Sequence, residues 1–155
     1  MSAHTLKPAI FLDRDGVIVE NRADYVKSID EVHILPGALE GLAQAARLDC
    51  RIVVVTNQSV VGRGLLTEPA LLAIHAAIHA TIVAAGGRID AWYFCPHLPE
   101  AGCACRKPRP GMLLSSTWPV MTSCMRRRRV FDNPPARVVF VISFLTWLSN
   151  NDSTG

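Results

Sequence analysis

The stretch "AIFLDRDG", residues 9–16, decides the fold: four apolar residues stop abruptly at two aspartates separated by an arginine. So short and uniformly apolar a run predicts a strand buried on both faces, as in a parallel sheet. The downstream sequence fits that reading. "PGALEGLAQAARL" (36–48) opens on proline and spaces its apolar residues as a helix does. "RIVVVTNQS" (51–59) holds a second buried strand over 52–55 that ends at Thr56. "TEPALLAIHAAIHATIVAAGG" (67–87) predicts a helix capped by Thr67, with Pro69 in its first turn and Gly86-Gly87 as its stop. "IDAWYF" (89–94) predicts a third strand. Strand, helix, strand, helix, strand is the order of a right-handed α/β fold, a Rossmann-like parallel sheet flanked by helices.

Composition sets the outer bounds. A chain of 155 residues, half of them apolar, makes one globular domain with a sizeable core. The opening "MSAHTLKPAI" lacks the pattern of a signal peptide, and the longest apolar run (138–148) is about half of the ~20 residues a membrane helix needs. The expectation is a cytoplasmic protein with no membrane partner. Five of the 16 basic residues and two of the 13 acidic ones follow residue 114, so the net charge of +3 belongs to the tail. A zinc module binding nucleic acid through Arg126, Arg127, Arg128 and Arg129 is conceivable on charge. It leaves the aspartates unexplained, and few aromatics are present to stack on bases, so no nucleic-acid partner is expected.

In open parallel sheets, ligands gather beyond the carboxyl ends of the strands. The three strands end in Asp13-Arg14-Asp15, in Thr56-Asn57-Gln58-Ser59, and in a loop running from Cys95 to Lys107. Asp13 and Asp15, two apart, point to one side of an extended chain. One carboxylate can attack phosphorus while the other handles protons, and together they attract Mg²⁺. The same pair is equally an ordinary polar turn. Thr56, Asn57 and Ser59 can bind phosphate oxygens or simply form a turn. Lys107 brings a compact charge suited to a phosphoryl group, and Arg106 a forked donor.

The loop "CPHLPEAGCACRKPRPGM" (95–112) carries more information. Cys95-x-His97 and Cys103-x-Cys105 supply four ligands for a closed tetrahedral Zn²⁺ site. With every position filled by protein, that zinc is structural, and it positions Arg106 and Lys107 immediately after it. Cys50 and Cys124 are bystanders. His75 and His79, four apart with no third ligand, are expected to be a pair on a helix surface.

In order, "FLDRDGVI", "VVVTNQSVVGRG" and "CPHLPEAGCACRKPRPGM" resemble the haloacid-dehalogenase superfamily of phosphatases over residues 9–114. Within it they look like the small, capless, zinc-containing group, which acts on heptose bisphosphate or histidinol phosphate. The resemblance implies that Asp13 is the nucleophile and Asp15 the acid and then the base. It implies that Thr56 and Lys107, with Asn57, Gln58 and Ser59 beside them, hold the phosphoryl group, that Arg106 recognises substrate, and that Mg²⁺ and Zn²⁺ are the cofactors. Asn21, Arg22 and Asp24 in "ENRADYV" (20–26) fall where this group contacts the sugar phosphate. "RKPRPGM" running into a helix favours the heptose substrate, with histidinol phosphate as the alternative. A monomer acting on a small sugar phosphate is expected. The family's fourth motif, a strand ending in Gly-Asp, does not occur in residues 115–155. The expected organisation is therefore a phosphatase core over 1–114 and an atypical tail over 115–155, of changed reading frame or degenerated. The sheet would then be incomplete at its C-terminal side unless 138–142 substitutes for the last strand, and activity impaired or lost.

Overall fold

The computed structural model describes residues 8–113. The atypical tail over 115–155, its substitute strand over 138–142, Cys124 and the arginine run over 126–129 lie outside the described residues.

Three parallel strands, β1 (Ala9–Leu12), β2 (Arg51–Asn57) and β3 (Ala91–Cys95), form a sheet in the order β1-β2-β3. Ala9 pairs with Arg51 and Leu12 with Val54, while Val53 pairs with Ala91 and Asn57 with Cys95. In this register all three strands deliver their carboxyl ends to one edge. Helix α1 (Ala38–Ala45) lies between the first two strands in sequence. The short α2 (Ser59–Gly62) and the long α3 (Glu68–Ala84) lie between the second and third. Thr67 caps α3, its hydroxyl accepting from the Ala70 amide at 3.4 Å, and Pro69 sits in the first turn where its missing N–H costs nothing. Among the described residues no helix is long and apolar enough to cross a membrane.

The period of two along β2 divides its side chains between two cores. Ile52 and Val54 join Ile18, Val26, Leu42, Ile74, Ile78, Ile82 and Trp92 in the cluster beneath α1 and α3. Val53 and Val55 join Ala9, Phe11, Cys95, Cys105 and Met112 on the opposite face. Every residue from Ile52 to Thr56 is therefore buried. β1 differs from expectation: only Ala9 and Phe11 are fully buried, and Ile10 and Leu12 are partly covered.

Two further sequence expectations need correction. Thr56 and Asn57 belong to β2 rather than to a turn after it, because their pairing with Phe94 and Cys95 extends the ladder. His75 is not on a helix surface: it is 2% exposed, stacked on Trp92 with ring centroids 4.8 Å apart and edge-on to Phe94. The spacing of α3 explains this, since position 75 shares its face with Leu71, Ile78 and Ile82. His79 is only partly buried.

Burial, and secondarily the Arg14 guanidinium, hold the His75 imidazole neutral, its pKa lowered to about 3. An unfolded histidine takes up its proton near pH 6.5, so the stability this residue contributes is full above that value. It falls as the pH drops toward 3, by up to about 1.4 kcal/mol per unit. Urea unfolding at pH 7 and pH 5 should therefore show the parent losing up to about 2 kcal/mol more than a His75→Gln variant over that interval. Equal losses would show that His75 is not held neutral.

Candidate active site

Asp13 follows β1 directly. Its Oδ1 accepts from the Arg14 amide at 2.8 Å, and its Oδ2 receives the Lys107 ammonium at 2.5 Å. Both groups are partly open to solvent, with Lys107 30% and Asp13 25% exposed, so the pair sits at the floor of an accessible edge. An ion pair this accessible contributes little to stability, about 0–1 kcal/mol. Its significance is positional.

Lys107 reaches Asp13 because its backbone is gripped twice by the end of β2. The Asn57 Oδ1 accepts from the Lys107 amide at 3.0 Å, and the Asn57 Nδ2 donates to the Lys107 carbonyl at 3.3 Å. Asn57, expected to bind a phosphate oxygen, thus directs both ends of its amide to the lysine backbone.

Asp15 does not continue an extended strand beside Asp13. The chain bends at Arg14, whose carbonyl accepts from both the Ile18 and the Val19 amides at 2.9 Å. Gly16, at φ +77°, supplies the left-handed turn that the bend requires. Asp15 Oδ1 then receives the Arg14 Nε at 2.9 Å and Nη2 at 2.8 Å, while Oδ2 receives the Gln58 Nε2 at 2.7 Å. The same Gln58 nitrogen lies 2.9 Å from the Thr56 hydroxyl. The two acids therefore sit in separate networks that meet at consecutive residues of one strand end: Asp13 through Lys107 to Asn57, and Asp15 through Gln58 to Thr56. Thr56, Gln58 and Ser59 are all buried.

The four expected zinc ligands are brought together. One ligand atom each from Cys95, His97, Cys103 and Cys105 lies within 4.8 Å of every other. The sulfur separations are 3.3 Å (Cys95–Cys105), 3.5 Å (Cys103–Cys105) and 3.6 Å (Cys95–Cys103). His97 Nδ1 stands 3.5 Å from Cys95 Sγ and 3.2 Å from Cys105 Sγ. A tetrahedral zinc with Zn–S bonds of about 2.3 Å separates its sulfurs by about 3.8 Å, so the observed cluster needs only slight expansion. Burial pushes the Cys95 thiol above its ordinary pKa, a shift that a bound cation would reverse. The loop is also braced by protein: Arg106 donates to the His97 carbonyl at 3.1 Å, and Arg109 to the carbonyls of Gly102 and Cys103. Gly62, at the end of α2, donates its amide to the Pro96 carbonyl at 3.0 Å. A Cβ there would stand 2.6 Å from that carbonyl oxygen, so only glycine lets the two loops approach.

Among the described residues this cluster is the only group of three or more metal-ligating side chains. Asp13 and Asp15 have no third histidine, cysteine or carboxylate with them there. For Mg²⁺ the fit is accordingly partial: both oxygens of Asp13 and both of Asp15 are already engaged, and the two carboxylates are exposed to the same small extent.

The loop over 20–26 holds the weaker candidates. Arg22 forks onto Asp24 at 3.0 and 3.1 Å, and Lys27 also reaches Asp24 at 3.0 Å. Hydrogen bonds from these two cations are the main cause holding the Asp24 carboxyl down at about 2. Asn21 is exposed, and its Cβ lies 3.9 Å from where a side chain on Gly16 would begin, which sets this loop beside the Asp15 turn. Tyr25, at φ +65°, receives the Arg63 Nε on its hydroxyl at 2.8 Å and ties the loop to the segment after α2. The sequence alone does not single out Tyr25, Arg63 or Arg14. An arginine between two aspartates invites a question, but nothing in the pattern announces that it is 2% exposed.

No protein-family model matches the chain. Curated relatives and solved structures do. Over 103 residues the chain is 48% identical to D-glycero-beta-D-manno-heptose-1,7-bisphosphate 7-phosphatase of Bordetella bronchiseptica, covering 66% of this chain and 58% of that one. Over 108 residues it is 43% identical to D-glycero-alpha-D-manno-heptose-1,7-bisphosphate 7-phosphatase of Mycobacterium tuberculosis, covering 68% and 56%. The crystal structure of the B. bronchiseptica D,D-heptose 1,7-bisphosphate phosphatase complexed with magnesium and phosphate superposes with TM-score 0.66 at 44% identity, covering 71% of this chain and 61% of that one. A HAD-like phosphatase structure from Mesorhizobium loti superposes with TM-score 0.61 at 33% identity, covering 71% and 56%. The chain thus spans somewhat more than half the length of the relatives it matches. In sequence and in its parallel sheet the chain is similar to haloacid-dehalogenase-like phosphatases.

Proposed function

We propose that the chain carries the catalytic machinery of a heptose 1,7-bisphosphate 7-phosphatase, a phosphoric monoester hydrolase working through an aspartyl-phosphate. The observation that carries this reading is the Lys107–Asp13 pair, a compact cation set 2.5 Å from a carboxylate at the carboxyl edge of a parallel sheet. The names of the relatives support the choice of substrate over histidinol phosphate. The core of this activity is assigned to residues 1–114; free cysteines among the described residues suit a reducing cytoplasm, and a monomer remains part of the proposal.

In the first step an Asp13 carboxylate oxygen attacks phosphorus, the bond from phosphorus to the sugar oxygen breaks, and protonated Asp15 gives its proton to that oxygen. In the second, Asp15 as carboxylate removes a proton from water, the water oxygen attacks phosphorus, and the bond to Asp13 breaks to release inorganic phosphate. Lys107 lies on the attacking carboxylate and can pass to a phosphoryl oxygen as substrate enters, a preorganised positive charge where negative charge gathers. Thr56, in the adjoining network, offers its hydroxyl to the same group. Arg106 and the loop bearing Asn21, Arg22 and Asp24 are assigned to the remainder of the sugar phosphate. Mg²⁺ would be held by Asp13 with Asp15 alongside, and when bound it would offset phosphoryl charge. Zn²⁺ would be held by Cys95, His97, Cys103 and Cys105, with no part in the chemistry.

Metal analysis should find about one zinc per chain, lost in a Cys103→Ala, Cys105→Ala double variant. Cysteine ligands bind as thiolates, so acidification should release the ion. Folded protein without zinc would overturn the assignment.

Hydrolysis of heptose 1,7-bisphosphate by this chain should be weak at millimolar Mg²⁺ and rise with added Mg²⁺. Replacing 115–155 by a segment with a Gly-Asp strand end should raise it by orders of magnitude. Asp13→Asn should abolish it. A preference for histidinol phosphate would change the substrate and leave the mechanism in place. Full activity at ordinary Mg²⁺ would overturn the expected impairment and show that another group supplies the third ligand.

A further inference from the structure

Arg14 lies between the two aspartates, yet its side chain turns into the interior. It is 2% exposed, among the largest fully buried side chains of the described residues, and its guanidinium meets two defined partners. Nε and Nη2 form a two-toothed fork on Asp15 Oδ1, at 2.9 and 2.8 Å. Nη1 lies 3.3 Å from Nε2 of the buried His75. Arginine has no acceptor, so in that contact it donates and His75 Nε2 accepts with its lone pair. The ring proton must then sit on Nδ1, a buried atom with no hydrogen-bond partner. Leaving a buried N–H unpaired is unfavourable. The opposite tautomer would set two donors against each other and lose the brace. His75 is itself fixed between Trp92 and Phe94. A rigid line therefore runs from the strand β3 aromatics through His75 and Arg14 to Asp15.

We propose that Arg14 is a positioning residue for Asp15: braced by neutral His75, it fixes one carboxylate oxygen while Gln58 holds the other, aiming the carboxyl for proton transfer to and from the sugar oxygen. The assignment rests on reading Asp15 as the acid and base. A lysine could supply the charge but not the planar fork, and it would leave either Asp15 or His75 without its partner.

Two measurements test this. In the parent chain, nitrogen NMR of the histidines should show His75 as the Nδ1–H tautomer, and Arg14→Met should abolish its Nε2 acceptor signature. For activity, Arg14→Met and Arg14→Lys are compared with the parent on heptose 1,7-bisphosphate and on p-nitrophenyl phosphate, whose leaving group departs without an acid. A misaimed Asp15 should slow the sugar ester about a hundredfold and p-nitrophenyl phosphate less than about tenfold, with Arg14→Lys intermediate. Equal losses on both esters would reduce Arg14 to a structural residue and overturn the proposal, as would an Nε2–H tautomer in the parent. If the parent hydrolyses neither ester, the comparison is made in the chain with 115–155 replaced by a segment with a Gly-Asp strand end; no hydrolysis there sinks the phosphatase reading, and the ring tautomer alone then decides whether the brace exists.

Discussion

Lys107 and Asp13 are 94 residues apart in sequence and 2.5 Å apart in space, and most of the described architecture serves that approach. Asp13 stands at the end of a four-residue strand whose direction is set by pairing with β2. Lys107 stands on a loop with little regular structure, and three restraints converge on it. The cysteine-histidine cluster closes the loop two residues upstream, Asn57 clasps the lysine backbone, and Arg106 and Arg109 tie the loop to its own carbonyls. A flexible lysine on an unrestrained loop would lose this geometry to entropy.

The cysteine loop has a second task. Cys95 and Cys105 are fully buried and pack with Val53, Val55 and Phe11 on the face of the sheet opposite α1 and α3. The side chains proposed as zinc ligands therefore also cover a core. Gly111, whose Cβ would stand 2.4 Å from the Ala104 carbonyl oxygen, marks how tightly the segment folds back after the cluster. Opening the loop would expose apolar surface as well as displace the lysine, so zinc held on the proposed assignment would be coupled to folding there.

Strand positions, the long helix and the cysteine-histidine cluster were legible in the sequence because each rests on local pattern. Apolar runs bounded by polar residues locate β1, β2 and β3 to within two residues, and Thr67 with Pro69 announces α3. Ligand spacing located the cluster because soft donors at short intervals have few other uses. Contacts made by folding were not legible. His75 looked like half of a surface pair because its burial depends on which face of α3 meets the sheet. Asn57 looked like a phosphate ligand because its grip on Lys107 crosses 50 residues of chain. The extended geometry assumed for Asp13 and Asp15 failed at Arg14, where the backbone bends into a turn that left-handed Gly16 completes. Arg14 escaped notice because charge ordinarily means exposure, and here the guanidinium is buried by pairing.

Asp13, held against Lys107, is the group assigned to receive the phosphoryl moiety, and on that assignment the proposed chemistry stands. Acid-quenching the chain during reaction with p-nitrophenyl phosphate, reducing with borohydride and locating the modified residue by mass spectrometry tests it directly. The expected result is conversion of residue 13 to homoserine, absent in Asp13→Asn and diminished in Lys107→Ala. A reduced residue elsewhere, or turnover with Asp13 unmodified at every quench time, would contradict it.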